Sequence, residues 1–261
     1  DMTASAGVAK PFKSFPTWFW DYDNDGWLDL LAASFYVSSY DDILKLFVGA
    51  EHGADQTKLY RNNGDGTFSD RTKEMGLEKV ILAMGANFGD LDNDGFLDCY
   101  FGTGDPDLRS LMPNLMYRNN NGKVFQDVTT SGGFGNLQKG HGISFGDLDH
   151  DGDQDIFEVM GGAYTGDVYQ NVLYENQGHD NNWITLRLHG VRSNRDGIGA
   201  RIRVQVKTES GSRDIYSTVS TGGSFGSSSL QQEIGLGKAV AIELLEIKWP
   251  AGATVQRFRQ V

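Results

Sequence analysis

Several residue types are scarce in this chain of 261 residues, and each scarcity excludes something. Cysteine occurs once, at Cys99, so no disulfide can form within the chain, and we expect this thiol to be a small buried core residue. Proline is low at 5 residues while glycine is high at 34, a balance that favours tight turns between short strands. No run of about 18 apolar residues is present, so the sequence predicts no membrane span.

Positive charge is also scarce. The chain has 23 lysines and arginines against 35 acidic residues, which gives a net charge of −12. Because phosphate binding needs a basic patch, a nucleic-acid partner is not expected. No secretion signal is visible, and the first residue can follow a processing boundary, so the compartment has to be inferred from other features.

The acidic residues are concentrated in three short stretches with one spacing. These are "DYDNDGWLDL" at 21–30, "DLDNDGFLDC" at 90–99 and "DLDHDGDQDI" at 147–156, and they hold 13 of the 35 acidic residues. Counted from the first aspartate, positions 1, 3, 5 and 9 are Asp in every stretch and position 6 is Gly. A solvated acidic face would need no fixed spacing, so these stretches are candidate cation-binding loops.

The spacing suits calcium. Ca²⁺ takes six to eight oxygen ligands, and a loop curled around the ion can offer carboxylates from positions 1, 3, 5 and 9 and the backbone carbonyl of position 7. Glycine at position 6 permits the sharp turn, and the absence of His and Cys from the predicted ligand positions argues against zinc. We predict about three Ca²⁺ ions, with metal-free acidic turns as the alternative. The predicted ligands are Asp21, Asp23, Asp25, Trp27 and Asp29, then Asp90, Asp92, Asp94, Phe96 and Asp98, then Asp147, Asp149, Asp151, Asp153 and Asp155.

An EF-hand is the obvious competing interpretation of such a loop. The regular EF-hand places Glu at position 12, but only the third stretch has one, Glu158, while the others have Ala32 and Phe101. Each stretch runs directly into an apolar segment of strand length, and no amphipathic helix precedes it. We therefore predict strands around the loops and interpret Glu158 as a strand residue.

The loops belong to a larger repeat. "LYRNNGDGTFSDRT" at 59–72 matches "MYRNNNGKVFQDVT" at 116–129, and "LYENQGHDNNW" at 173–183 begins in the same way. The period is 57 residues, or 69 in the first unit, where "SYDDILKLFVGAEHGA" adds residues whose spacing allows one short helix. Each unit is predicted to form four short strands, as in a propeller blade.

At these residues a resemblance becomes specific. "FGDLDNDGFLD" followed by "LYRNNGDGTF" resembles the FG-GAP/VCBS repeats of integrin-type propellers. The resemblance implies an all-β fold, with a partial β-propeller of calcium-binding, four-stranded blades over residues 1–178. The first unit departs from the pattern because it has Phe19-Trp20 in place of Phe-Gly. Since closed propellers usually have four or more blades, we expect the chain to be a segment of a longer polypeptide.

The remaining part, residues 179–261, has a different pattern. Ile202, Val204 and Val206 alternate with polar residues, which predicts a strand with one core face, and turns are predicted at "TESGS" and "PAG". Through "SNRDGIGAR", "GLG" and "WPAG" this part resembles the ASPIC/UnbV domain. In the cartilage acidic protein family that domain follows VCBS repeats. The resemblance implies a small β-sandwich-like domain that continues into one more short strand.

Two classes of function remain open. The favoured one is a non-enzymatic, calcium-binding module, located extracellularly, in the periplasm or on the cell surface, which is structural or binds a protein or glycan partner. A third, separate possibility is a purely architectural subunit of a surface assembly. The alternative is an enzyme with a pocket on the propeller face that acts on carbohydrate. Against it, no nucleophile–base pair is visible, and the five histidines show no metal-ligand spacing; His150 is expected to be exposed.

Overall fold

Nearly all regular structure in the chain is antiparallel β-sheet. A computed structural model describes residues 1–36, 39–105, 111–162, 164–259 and 261. The helices in these ranges are α1 (Thr3–Ala6) and α2 (Tyr40–Phe47), and neither has the length and apolar character needed to cross a bilayer. The all-β prediction is therefore confirmed.

The first two repeat units each form a four-stranded sheet in which the strands follow chain order. Sheet 1 contains β1 (Ser14–Trp20), β2 (Asp29–Ser34), β3 (Lys58–Asn62) and β4 (Phe68–Asp70). Sheet 2 contains β5 (Ala83–Gly89), β6 (Asp98–Thr103), β7 (Leu115–Asn119) and β8 (Phe125–Asp127). In both sheets the Asp loop connects the first strand to the second, as predicted.

Within the described residues, the third unit forms three strands. Sheet 3 contains β9 (Gly140–Gly146), β10 (Asp155–Met160) and β11 (Val172–Tyr174), in the order β11-β10-β9. The prediction of four strands is wrong here. After Tyr174 the chain does not return as a hairpin but continues to β12 (Asn182–Leu186), which pairs in a different sheet.

Aromatic side chains fill the space between sheets 1 and 2. Trp18 and Trp20 on β1 pack on Phe88 of sheet 2 at ring distances of 5.5 and 5.7 Å. The glycine of the repeat pattern, Gly89 in sheet 2, approaches sheet 3 so closely that a Cβ would lie 2.4 Å from the ring of Phe145. In sheet 1 the same position is Trp20, whose own ring fills the gap to the next sheet.

The C-terminal part forms two sheets around a separate core. β12 pairs with β15 (Gln232–Gly237). The second sheet has the order β14-β13-β16-β17, with β13 (Arg201–Thr208), β14 (Gly211–Thr218), β16 (Ala241–Lys248) and β17 (Val255–Arg259). Ile202, Val204 and Val206 are buried in the core between the sheets, so the predicted alternation and both predicted turns are confirmed.

Three smaller predictions can also be compared with the structure. The insertion in the first unit contains α2, which begins after the N-cap Ser39, whose side chain accepts from the Asp41 N–H. Cys99 is fully buried, as expected for a structural thiol. Glu158 lies in β10 and not in a cation loop, so its interpretation as a strand residue is confirmed.

Candidate metal centre

The first aspartate of each loop holds the turn closed. Asp21 accepts hydrogen bonds from the N–H groups of Asp25 at 3.1 Å and Gly26 at 2.9 Å. Asp90 and Asp147 do the same with positions 5 and 6 of their own loops. Gly26 has a φ of 88°, a conformation that a residue with a Cβ adopts only with strain. The three loops therefore share one backbone arrangement, which the spacing of Asp and Gly encodes.

The ninth-position aspartate ties its loop to the third strand of the sheet. The two oxygens of Asp98 accept the N–H of Asn119, on β7, at 2.7 Å and the N–H of Leu91, in the loop, at 2.9 Å. Asp29 and Asp155 make the same pair of hydrogen bonds in their own units. These side chains thus have a structural role that the sequence analysis did not foresee.

Carboxylate oxygens from positions 1 and 3 and one further position converge in each loop. Within each group the oxygens lie within 4.8 Å of one another, and the groups are Asp21, Asp23 and Asp29; Asp90, Asp92 and Asp94; and Asp147, Asp149 and Asp151. The third member is thus the ninth position in the first loop and the fifth position in the others. For Trp27, Phe96 and Asp153, a backbone carbonyl as ligand stays a prediction.

Charge on these carboxylates is costly because several of them are buried. Burial, reinforced by repulsion from Asp94, raises the pKa of Asp90 well above its usual range. Burial, and then repulsion from Asp25, raises the pKa of Asp21 to about 7, and burial raises that of Asp29 to about 8. A bound divalent cation would offset both causes, because it would coordinate the oxygens that burial has stripped of water and its charge would balance the repulsion between the carboxylates.

Two buried oxygens provide a separate test of whether a cation fits. Oδ1 of Asp23 and Oδ1 of Asp92 are buried and have no hydrogen-bond donor among the described residues. The other oxygen of each is paired with an arginine from the third strand: Arg61 Nε lies 2.7 Å from Asp23, and Arg118 Nε lies 2.5 Å from Asp92. An orphaned carboxylate oxygen within an oxygen-only donor set fits a hard cation such as Ca²⁺.

The third loop differs from the first two in its charged surroundings. Glu175 occupies the place that Arg61 and Arg118 hold in the other units, one residue after the repeated tyrosine. Asp149 and Asp151 are exposed, whereas their counterparts in the first two loops are buried or half-buried. Neither arginine is among the residues predicted from the sequence, although the contrast between "YRNN" and "YENQ" in the aligned units distinguishes the first two loops from the third.

The loops are also connected to one another. Asn24, at position 4 of the first loop, donates through Nδ2 to the carbonyl of Gly95 in the second loop at 2.7 Å. Asn93 donates in the same way to the carbonyl of Gly152 in the third loop at 3.1 Å. His150 holds position 4 of the third loop and is exposed, as predicted. The loops therefore form a continuous series across the three sheets.

The C-terminal part of the chain makes hydrogen bonds to the first two loops, at backbone carbonyls and at one side chain. Arg201 Nη2 donates to the carbonyl of Gly26 at 3.0 Å, and the N–H of Tyr216 donates to Asn24 Oδ1 at 2.8 Å. In the second loop, the carbonyl of position 4 accepts the N–H of Gly237 at 2.8 Å. A change in the conformation of the loops would therefore also change the interface between the two parts of the chain.

The sheets and their acidic loops define a β-repeat protein, and comparison with known families agrees with this description. The family model described as FG-GAP-like repeat matches residues 21–101, and the one described as ASPIC and UnbV matches residues 190–261. The two matches agree with the architecture that the resemblance implied, FG-GAP repeats followed by a C-terminal ASPIC/UnbV domain. A search of curated proteins finds no match to the chain.

Proposed function

We propose that the protein is a calcium-stabilised, extracytoplasmic β-repeat module that binds a protein or glycan partner and is not an enzyme. In this proposal residues 1–178, which we call the repeat half, are part of a β-propeller, and each Asp loop binds one Ca²⁺ ion. The observation that carries it is the group of converging carboxylates, buried in the second loop at Asp90 and Asp92 and repeated in all three units.

Calcium would convert the mutual repulsion of these carboxylates into folding stability. With a dissociation constant of about 10 μM and free Ca²⁺ of about 1 mM, mass action stabilises the folded state by about 2.7 kcal/mol per site. Three independent sites would supply roughly 8 kcal/mol, which is comparable to the whole net stability of a typical domain. On this proposal the ions are structural components of the repeat half.

The calcium affinity expected for these loops also indicates the compartment in which the protein is located. Cytosolic free calcium is too low to fill loops of ordinary affinity, whereas about 1 mM extracellular calcium fills them. We therefore place the protein in an extracellular, periplasmic or cell-surface compartment. FG-GAP repeats, which are typical of extracellular or surface proteins, support this placement. Recovery of the natural full-length protein in the cytosolic fraction would contradict it.

Elemental analysis of the dialysed protein tests the metal assignment. We expect calcium at about three ions per chain, and one ion fewer in Asp94→Ala, because that substitution removes one of the converging carboxylates of the second loop. Asp196→Ala is the matched control, since Asp196 is an exposed aspartate outside the loops. Stoichiometric zinc with little calcium would contradict the assignment.

We propose that the protein is not an enzyme because its acidic side chains already make other contacts. Position-1 and position-9 aspartates accept backbone N–H groups, and Asp23 and Asp92 pair with arginine. Carboxylates held in this way, and committed to a cation as well, are poor general acids or bases. Rigid sheets joined by loops instead suit partner binding, because such loops can vary while the sheets hold them in place.

A further inference from the structure

The outer edge of sheet 3 lacks the strand that the other two sheets possess. β4 completes sheet 1 and β8 completes sheet 2, but within the described residues no strand pairs with the outer side of β11. An open strand edge carries backbone N–H and C=O groups that can pair with another extended chain. The two complete sheets show what such a strand would contact.

In sheet 2 the fourth strand uses both its backbone and one aromatic side chain. The N–H of Val128 donates to the carbonyl of Met116 at 3.0 Å, and the N–H of Met116 donates to Thr129 Oγ1 at 3.0 Å. Phe125 is buried against sheet 1, where its ring stacks on Trp20 at 5.6 Å and lies 6.1 Å from Tyr22. The aromatic residue of the fourth strand thus fills the gap toward the preceding sheet.

Sheet 1 repeats the backbone part of this pattern. The N–H of Arg71 donates to the carbonyl of Leu59 at 2.8 Å, and the N–H of Leu59 donates to Thr72 Oγ1 at 3.0 Å. Leu173 is the counterpart in sheet 3, since it pairs with Phe157 as Met116 pairs with Tyr100. By this register the N–H and C=O of Leu173 point to the open edge.

A cavity lies between sheet 2 and sheet 3, at the place where the aromatic residue of a fourth strand of sheet 3 would insert. Its volume is about 540 Å³, within the range of about 300–1,000 Å³ that is typical of ligand sites. Leu91 takes the place of Tyr22 on its wall, because it is the second residue of its own loop, and it leaves more room than a tyrosine. The apolar lining comprises Leu91, Met116, Val128, Phe134, Ile156 and Tyr174.

We propose that an extended peptide from a protein partner adds to β11 as the fourth strand of sheet 3 and inserts an aromatic side chain into this cavity. The partner's chemistry follows from the strands that fill the same place in the other sheets. These read Phe68-Ser-Asp-Arg-Thr72 and Phe125-Gln-Asp-Val-Thr129. The peptide therefore carries an aromatic residue two positions before Asp and four before Thr. Backbone pairing at the edge supplies affinity, and the aromatic pocket supplies specificity.

This proposal specifies the partner in the proposed function. It is argued from the open edge of β11 and the cavity beside it, whose polar lining includes Asp92 and Asp98 of the second loop. The probe is a fluorescein-labelled peptide with the sequence of residues 122–130, GKVFQDVTT, mixed with the 261-residue chain at about 1 mM Ca²⁺. We expect saturable binding by fluorescence anisotropy. Replacing the phenylalanine of the peptide by alanine should weaken binding roughly tenfold or more, because it removes the buried anchor.

Variants of the protein locate the site. Ser131→Trp places a bulky side chain on the cavity wall and should abolish binding, whereas Ser210→Trp, at an exposed hairpin turn, should leave it unchanged. An unaltered melting temperature will show that Ser131→Trp remains folded. In the wild type, bound peptide should slow hydrogen exchange at the Leu173 amide.

Several outcomes would overturn the proposal. These are absence of saturable binding, equal binding of the alanine peptide, or undiminished binding by a folded Ser131→Trp. Self-association of the chain with the Leu173 amide protected would show that a second copy occupies the edge instead. A chelator effect on stability without peptide binding would leave the calcium proposal intact and remove this one.

Discussion

The repeat half and the C-terminal half of the chain bury different kinds of side chain. Among the described residues every buried carboxylate lies before residue 159, and Asp29, Asp98 and Glu158 are at most 1% exposed. The core of the C-terminal half is formed by aliphatic residues such as Ile202 and Val204. The two halves thus differ in the cost of burial, because apolar side chains gain free energy when they leave water whereas a carboxylate is disfavoured in its charged form.

Removal of divalent cations should give the largest contrast between the halves. With a chelator we expect the repeat half to lose up to roughly 8 kcal/mol of stability, the sum of three calcium sites. Hydrogen exchange should then accelerate at β2, β6 and β10 but much less at β13 and β16. Thermal unfolding combined with exchange mass spectrometry measures this. If the chelator lowers the melting temperature of the repeat half by less than about two degrees, calcium is not a structural element of the protein.

A cavity in the C-terminal core should have the next largest effect, and it should be independent of calcium. Ile202→Ala removes a side chain that is 1% exposed, which typically costs about 2–5 kcal/mol. Val240→Ala is the matched control, since Val240 is 66% exposed. Urea unfolding with and without chelator measures both variants. If the loss in Ile202→Ala changed strongly with calcium, the two halves would not be energetically distinct.

The third prediction concerns the pH dependence of stability, and it rests on Glu158, a buried acid in sheet 3. Burial raises the pKa of Glu158 to about 7, although a hydrogen bond from the Tyr100 hydroxyl at 2.8 Å partly offsets this. Because the folded-state pKa is raised, the contribution of Glu158 to stability is present below its ordinary pKa of 4.5 and is lost as pH rises through about 7. We expect a loss on the order of 2–3 kcal/mol between about pH 5 and pH 8.

Glu158→Gln should lack this part of the pH dependence, since glutamine stays neutral. Urea unfolding in excess calcium at several pH values measures it, and Glu209→Gln, at an exposed turn position, is the matched control. An unchanged pH slope in Glu158→Gln would show that Glu158 does not titrate in the folded protein over this range.

The smallest expected effect concerns the arginine of the second loop. Arg118→Gln removes the partner of Asp92 and should destabilise the cation-free protein by about 1 kcal/mol, because the arginine is 47% exposed and its charge is screened. With calcium bound the loss should be smaller, since the ion then neutralises the same carboxylates. Melting temperatures of Arg118→Gln and the exposed control Arg192→Gln, with and without chelator, test this. Equal losses in both conditions would contradict it.

The sequence alone predicted much of the local structure and little of the long-range contacts. The loop spacing predicted the turns that Asp21 and Gly26 form, because those hydrogen bonds join residues four or five apart. It gave no indication that both oxygens of Asp98 are taken by backbone N–H groups, one of them 21 residues away. The prediction of four strands in the third unit was wrong, because after β11 the chain leaves the sheet and continues to β12, which pairs with β15.

The sequence by itself determined the repeat period, the conformation of the loops and the alternation of β13, because each depends on backbone geometry over a few residues. Only the tertiary structure decided which loop faces which neighbour. The hydrogen bond from the Tyr216 N–H to Asn24 joins residues 192 apart, and the cavity beside β11 is lined by side chains from both sheet 2 and sheet 3. Such contacts depend on how whole sheets pack, and no local spacing encodes that packing.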